Sequence, residues 1–265
     1  MADKYAVIGN PIAHSKSPEI HMAFAQQTAQ DISYERILAP VDGFADTVKR
    51  LRDEGYQGCS ITVPFKFEAY QLGGQLTPRA QAAKAVNTLK FQGQNALGDN
   101  TDGVGLITDI TRNLGCDLQG KQVLLMGAGG AAYGAALPLK LAGAALTIVN
   151  RNLSRAQQLA DTLPQGVQAN SYSALADMQF DIVINATSSS LIDELPPLPV
   201  GIFNANALAY DMMYGRETPF MAFAREQGAA LVADGLGMLV EQAAEAFYVW
   251  RGVRPHTAPV MTLLR

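Results

Sequence analysis

The chain has 265 residues, enough to bury a large core and, on size alone, to form two domains. A hydrophobic content of 48% with 17% charged residues excludes a disordered chain, and a net charge of −4 offers no basic field for nucleic acid. Two cysteines, Cys59 and Cys116, are too few for a disulfide framework or a metal cluster, and three histidines (His14, His21, His256) lie too far apart for metal-ligand spacing. A reducing cytoplasm and a metal-free protein are therefore expected.

Asp3 and Lys4 stand at the start of the first strand, over Tyr5–Ile8, so no signal peptide is expected. Gly9-Asn10-Pro11 ends that strand in a turn. Ser17-Pro18 then predicts a helix to about Gln30, with Ser17 as its cap and proline at its first position. Ile32–Leu38 alternates as a strand, and Asp42–Asp53 has helical spacing, with Phe44, Val48 and Leu51 on one face and Lys49, Arg50 and Arg52 on a solvated one. Cys59–Val63 reads as a strand stopped by Pro64. Thr77-Pro78 repeats the cap-and-proline start for a helix through Lys84, and Val86–Phe91 with Ala96–Gly98 predicts a hairpin. A helix over Asp102–Asn113 then bridges to a second domain.

The stretch from Lys121 to Arg155 organises the second half of the chain. An apolar run (Val123–Met126), a glycine turn, a small-residue helix and a second apolar run (Leu146–Val149) make the βαβ unit of dinucleotide-binding folds. Gly127 and Gly129 permit the sharp turn and close backbone approach to a pyrophosphate, and Ala132 takes the third small-residue position. The uncharged run Gln122–Leu139 has the length of a membrane span. Its four glycines and Pro138 divide it instead into strand, turn and helix, so no membrane segment is expected. A carboxylate at the end of the second strand would bind the 2′-hydroxyl of NAD. Here stand Asn150 and Arg151, with Arg155 one turn on, and two guanidiniums suit the 2′-phosphate of NADP. The alternation continues through strands at Asp181–Asn185, Leu208–Met212 and Leu231–Ala233, a helix over Glu217–Gln227 and a final helix over Gly237–Trp250.

A nicotinamide cofactor implies hydride transfer, for which the protein must move a proton to or from an alcohol or ketone. Lys66, beyond SITVPF, and Asp102, at a helix start favourable to a carboxylate, are candidates. Composition alone leaves them equally readable as a surface lysine and a helix cap. His14 and His21 read as hydrogen-bonded turn and helix residues, and Met212, Met213 and Met238 as core.

Nine blocks occur in order: GNPIAHSKSPEIH from Gly9, SITVPFK from Ser60, AVNT from Ala85, DNTDGVG from Asp99, GAGGAA from Gly127, NRNLSRA from Asn150, NATSS from Asn185, DMMYGRETPF from Asp211 and DGLGMLVEQAA from Asp234. Together they resemble the shikimate dehydrogenase family over nearly the whole chain. The resemblance implies an α/β protein of two domains flanking a cleft. A discontinuous substrate domain would span residues 1–101 plus 238–265, and a Rossmann-type, doubly wound parallel-sheet NADP domain residues 102–237. It implies Lys66 and Asp102 as the catalytic pair. Ser15 and Ser17 would hold the substrate carboxylate, with Tyr214 near it, and Thr62, Asn87 and Gln242 would bind the ring hydroxyls. Gly127, Ala128, Gly129, Gly130 and Ala131 would line the pyrophosphate, Asn150, Arg151 and Arg155 the 2′-phosphate, and Thr187, Gly235 and Met238 the nicotinamide. The chain departs from the family's commoner residues at Met22, Asn152 and Ser190.

The implied activity is NADP-dependent, reversible reduction of 3-dehydroshikimate to shikimate in aromatic amino-acid biosynthesis, by a cytoplasmic monomer or homodimer acting on a small molecule. A quinate/shikimate dehydrogenase using NAD would want an acidic residue at 150 or 151. A non-catalytic NADP-binding sensor would be marked by loss of Lys66 or Asp102. A short-chain ketoreductase would carry a Tyr-x-x-x-Lys pair after the nucleotide unit, and this chain has none.

Overall fold

The computed structural model describes residues 2–72 and 74–265, and these divide into two compact units, one holding the described residues up to 105 together with 240–265 and the other residues 106–239. The first unit contains β1 (Asp3–Gly9), α1 (Ser17–Thr28), β2 (Ile32–Leu38), α2 (Phe44–Asp53), β3 (Tyr56–Ile61), α3 (Lys66–Gln71), β4 (Gln75–Leu76), α4 (Pro78–Ala83), β5 (Thr88–Gln92) and β6 (Asn95–Asp99). Next comes α5 (Asp102–Thr108), ending in a π-helical turn over Asp109–Asn113. The second unit then contains β7 (Gln122–Met126), α6 (Gly130–Leu141), β8 (Ala145–Val149), α7 (Leu153–Ala160), β9 (Gln168–Asn170), β10 (Phe180–Asn185), β11 (Phe203–Asp211), α8 (Pro219–Glu226) and β12 (Leu231–Ala233). The chain ends with α9 (Leu236–Arg251) and α10 (Ala258–Leu264). The division between units falls within α5 and α9.

The first sheet has the order β2-β1-β3-β5-β6-β4. It is mixed: β1 runs parallel to β2 and β3, whereas β5 is antiparallel to both β3 and β6, forming the expected hairpin. Alternate residues of β1 serve opposite faces. Ala6 and Ile8 join Phe44, Val48, Leu51 and Phe65 in one core cluster, where the Phe44 and Phe65 rings stack at 4.8 Å. Tyr5 packs on Trp250 of α9, whose indole N–H donates to the Leu89 carbonyl at 2.9 Å. Gly58 leaves the room for this, since a Cβ there would lie 2.6 Å from the Trp250 nitrogen.

The second sheet is all parallel, ordered β12-β11-β10-β7-β8-β9. Both faces are covered, which explains the uninterrupted apolar run in β7. Val123 and Leu125 enter one core cluster with Ala135, Leu139 and Leu146, while Leu124 and Met126 enter the other with Val183, Ala209 and Phe220. The strand order reverses between β7 and β10, and in such sheets ligands bind outside the carboxyl ends of the strands at that point. No helix among the described residues is long and apolar enough to cross a membrane.

Two local expectations are corrected. Ser17 is the first residue of α1 rather than its cap, because the Ser15 hydroxyl accepts the Ser17 amide at 3.3 Å and closes the turn one step earlier. His21 is not hydrogen-bonded: both ring nitrogens are buried without a partner, and the ring stacks on Tyr34 at 4.4 Å among Phe24, Phe247 and Trp250. Burial in this aromatic box pushes its pKa down to about 3 from an ordinary 6.5.

The sign of the consequence is fixed by linkage. Below pH 6.5 the unfolded chain takes up a proton at His21 that the folded chain refuses until about pH 3. Stability is therefore present above 6.5 and lost on acidification, by roughly 1.4 kcal/mol per pH unit from this group. His21→Phe should be neutral or stabilising at pH 7, since it removes two orphaned nitrogens, and should flatten the slope between pH 6 and pH 4. Denaturant unfolding of both proteins across that range checks it, and parallel slopes would refute it.

Candidate functional site

In the first unit, side chains from four separated segments meet at the carboxyl end of β3 and the start of α5. Pro64 ends the β3 segment and α3 begins at Lys66, which aims the lysine from a first-turn position. Lys66 Nζ donates to Asp102 Oδ2 at 2.5 Å, with side chains 15% and 6% exposed, respectively. Asp102 Oδ1 accepts from Asn87 Nδ2 at 2.9 Å. The Asn87 amide also reaches Thr101 Oγ1 at 2.9 Å and Gln242 Oε1 on α9 at 3.3 Å. Asn87 Oδ1 in turn accepts the Thr101 amide at 2.9 Å and the Thr88 hydroxyl at 2.9 Å. Asn87 is thus the buried junction that brings Lys66, Asp102 and Gln242 into one network.

This arrangement can do acid–base chemistry. The carboxylate is acceptor-only, and each of its oxygens is already engaged, so it holds the ammonium in place. The ammonium has three N–H donors, of which one is spent on Asp102. Thr62 lies on the segment leading to Lys66, with its amide on the Ile8 carbonyl at 3.0 Å. A Cβ on Gly9 would come within 2.5 Å of its methyl group, so the glycine admits Thr62 against the end of β1. Ser15, in the turn before α1, and Ser17, its first residue, sit together, both buried, with the Ser15 hydroxyl donating to Ser17 Oγ at 3.2 Å. Arg36 anchors that turn by donating to the Ser15 carbonyl at 2.8 Å.

In the second unit, Gly127, Ala128, Gly129, Gly130 and Ala131 join β7 to the first turn of α6. Gly127 has φ +114°, and a Cβ there would lie 2.9 Å from the Ala186 carbonyl oxygen. Only glycine passes so close to β10 in that conformation. A Cβ at Gly129 would meet nothing within 4 Å, and no side chain caps α6. Open space in front of uncapped first-turn amides fits a pyrophosphate. Arg151 and Arg155 are exposed beyond β8, and Asn150 Nδ2 donates to the Asn152 carbonyl at 3.0 Å. No carboxylate stands between positions 150 and 155, so this corner suits a phosphate.

Across the switch point from Gly127, Asn185 Oδ1 accepts the Thr187 amide at 3.1 Å and its hydroxyl at 2.7 Å, which fixes Thr187 at the end of β10. Gly235 approaches the Met212 carbonyl so closely that a Cβ would lie 2.3 Å from its oxygen. The Met238 amide donates to the Tyr210 hydroxyl at 3.3 Å, and that hydroxyl donates to Asp109 at 2.6 Å. Tyr214 is half-buried in the segment before α8. Among the described residues no group of three or more histidine, cysteine or acidic side chains could hold a metal ion.

Three family models match this chain: "Shikimate dehydrogenase substrate binding domain" over residues 7–89, "Shikimate / quinate 5-dehydrogenase" over 109–192, and "Shikimate 5'-dehydrogenase C-terminal domain" over 235–265. The shikimate dehydrogenase (NADP(+)) of Methylobacillus flagellatus is 60% identical over 267 residues, covering 99% of both chains. The chain belongs to the shikimate dehydrogenase family. Solved structures agree. An Ael1 enzyme from Pseudomonas putida is 48% identical with a TM-score of 0.91, covering 99% of this chain and 98% of that one. The shikimate 5-dehydrogenase of Thermus thermophilus, in complex with NADP(H) and shikimate, is 30% identical with a TM-score of 0.89, at the same coverage.

The departures from the family's commoner residues have local explanations in two cases. Asn152 caps α7, its oxygen accepting the Ser154 amide at 3.0 Å and hydroxyl at 2.7 Å, so only its amide N–H groups could face a phosphate. Ser190 is buried, and its hydroxyl links Asn185, at 3.0 Å, to Asp211, at 2.9 Å. Thr218 Oγ1 donates to the same Asp211 oxygen at 2.6 Å. The added hydroxyl is therefore satisfied and joins β10 to β11. Met22 is exposed, and nothing in the structure explains it. Sequence reasoning passed over Thr101, whose hydroxyl lies 3.3 Å from Gln242 Oε1 and 3.2 Å from Asn87 Oδ1. Its place between two residues of the DNTD block was the available signal.

Proposed function

We propose that this protein catalyses the reversible, NADP-dependent interconversion of 3-dehydroshikimate and shikimate. The observation that carries the reading is the Lys66–Asp102 contact at 2.5 Å, braced by Asn87, in a chain of the shikimate dehydrogenase family. The first unit then holds the substrate and the second the dinucleotide.

NADPH, when bound, supplies the hydride that adds to the substrate carbonyl carbon. As negative charge builds on the carbonyl oxygen, Lys66 Nζ stabilises it and passes it a proton. Asp102 orients the ammonium, with one oxygen on Lys66 and the other held by the Asn87 amide. In the reverse direction neutral Lys66 removes the hydroxyl proton. Asn87, Thr62 and Gln242 bind the ring hydroxyls, and the Ser15 and Ser17 hydroxyls take the substrate carboxylate, with Tyr214 beside it. In the second unit the glycine turn and first-turn amides of α6 bind the pyrophosphate, Asn150, Arg151 and Arg155 the 2′-phosphate, and Thr187, Gly235 and Met238 border the nicotinamide. The reading includes a cytoplasmic location and a monomer or homodimer.

The test is initial rates of nicotinamide reduction, with shikimate or quinate crossed against NADP or NAD. The shikimate and NADP pair should exceed every other by at least about tenfold in kcat/KM, since loss of one satisfied polar contact costs on the order of 1.4 kcal/mol or more. Comparable rates with quinate and NAD would move the protein to the dual-specificity branch. NADP binding without turnover on either acid would leave a sensor.

A further inference from the structure

Arg79 has no part in the proposed chemistry, yet it is the hub of an ion network in the first unit. It is the second residue of α4, a helix started by the Thr77 hydroxyl accepting the Ala80 amide at 3.2 Å. Its Nε and Nη2 donate to Asp99 Oδ1 and Oδ2, each at 2.6 Å, and its Nη1 donates to Glu245 Oε1 at 2.7 Å. All three guanidinium nitrogens are thus in use, in a fork that an ammonium cannot copy. Asp99 Oδ1 also accepts the Thr77 hydroxyl at 2.6 Å and the Asn100 amide at 2.7 Å, and the other Glu245 oxygen pairs with Arg254. The carboxylates are nearly buried, at 2% and 9% exposure, against 32% for Arg79. Burial pushes the Asp99 carboxyl up, but the Arg79 fork and the Thr77 hydroxyl outweigh it and hold it below the usual range.

What the two carboxylates carry gives the network its meaning. Asp99 lies three residues before Asp102, and the intervening chain is pinned at every step. Asn100 Nδ2 donates to the Ala85 carbonyl at 3.0 Å, Asn100 Oδ1 accepts the Asp102 amide at 3.2 Å, and the Thr101 amide donates to Asn87. A shift of Asp99 is therefore passed to the carboxylate that holds Lys66. Glu245 lies three residues after Gln242 on α9, on the same helix face. Arg79 consequently ties the loop that bears Asp102 to the helix that bears Gln242, from outside the site.

We propose that Arg79 is a positioning residue for the reaction: by clamping Asp99 to Glu245 it sets the spacing of Asp102 and Gln242 around one substrate. The inference rests on the proposed shikimate dehydrogenase function and adds to it a residue that touches neither substrate nor cofactor. An ion pair of purely structural value would affect unfolding alone. A positioning clamp affects shikimate and leaves the dinucleotide alone.

The test compares Arg79→Gln, Arg79→Lys, Glu245→Gln and the Arg79→Gln/Glu245→Gln double variant with the parent, by thermal unfolding and by steady-state kinetics in both substrates. Arg79→Gln should lower kcat about tenfold and raise the KM for shikimate about tenfold, with the KM for NADP within about twofold, as expected for misplacement by a fraction of an ångström. Arg79→Lys should recover the melting temperature but only part of the kinetic loss. The double variant should be no worse than Arg79→Gln, because the two side chains act as one unit. A folded Arg79→Gln protein with all three constants within twofold of the parent overturns the proposal, and so does an equal rise in both KM values. If Arg79→Gln does not fold, Glu245→Gln decides, since Arg79 there keeps both of its contacts with Asp99, and an unchanged KM for shikimate there overturns the proposal. A parent protein without shikimate turnover overturns both readings, which separates that failure from one confined to Arg79.

Discussion

Replacing Lys66 with alanine is expected to lower kcat by roughly a thousandfold, within the range for a general acid–base group. Lys66 Nζ is the donor that Asp102 holds at 2.5 Å, and its remaining N–H groups are those with which to meet a developing alkoxide. Without it the carboxylate keeps the Asn87 amide on one oxygen and loses its charge partner on the other. A nearly buried carboxylate left in that state is also destabilising, so the folded fraction must be measured beside the rate. Lys66→Met separates the two effects by retaining the apolar stem, and it should be as inactive as alanine while losing less stability. NADP affinity should stay within about twofold, because the glycine turn and the arginines belong to the other unit. Turnover near that of the parent, in a folded variant, would remove Lys66 from the chemistry and leave its contact with Asp102 a structural ion pair.

The alternation of strands and helices was legible because its signals are local. The runs Val123–Met126 and Leu146–Val149, the punctuating glycines and Thr77-Pro78 each declare an element within a few residues. Two short strands were missed for the same reason: Gln75–Leu76 and Gln168–Asn170 are too brief to show a period, and their neighbours in the sheet define them. The helix from Lys66 has no signal of its own beyond Pro64, which ends the preceding strand, and only the structure shows that the chain turns directly into a helix. Long-range polar contacts leave no local trace. Asn87 and Gln242 are 155 residues apart, and Arg79 and Glu245 are 166 apart, so neither pairing could be read from spacing. The family resemblance could nominate Asn87 and Gln242, but it could not supply their shared contact with Thr101. His21 is the opposite case. Its block was recognisable, yet nothing in a sequence distinguishes a histidine with a partner from one sealed among aromatic rings.

The second large effect is cofactor discrimination at the end of β8. Arg151 and Arg155 flank the Asn152 cap, which fixes the chain's entry to α7 and so fixes where the guanidiniums start. Arg151→Ala/Arg155→Ala is expected to raise the KM for NADP about a hundredfold, equivalent to roughly 3 kcal/mol. That is the sum of two charge-assisted contacts to phosphate, each worth about 1.5 kcal/mol. NAD lacks the 2′-phosphate, so its KM should move by less than about threefold, and the preference between cofactors should shrink nearly in proportion. Exposure of both arginines makes the contribution sensitive to screening. The parent's preference for NADP should therefore narrow between low and high salt, whereas the double variant's should not. A simple loss of helix-start stability would instead weaken both cofactors alike and leave the salt dependence intact. Equal losses for NADP and NAD would thus refute the phosphate clamp, and would leave the two arginines as solvated residues around the start of α7.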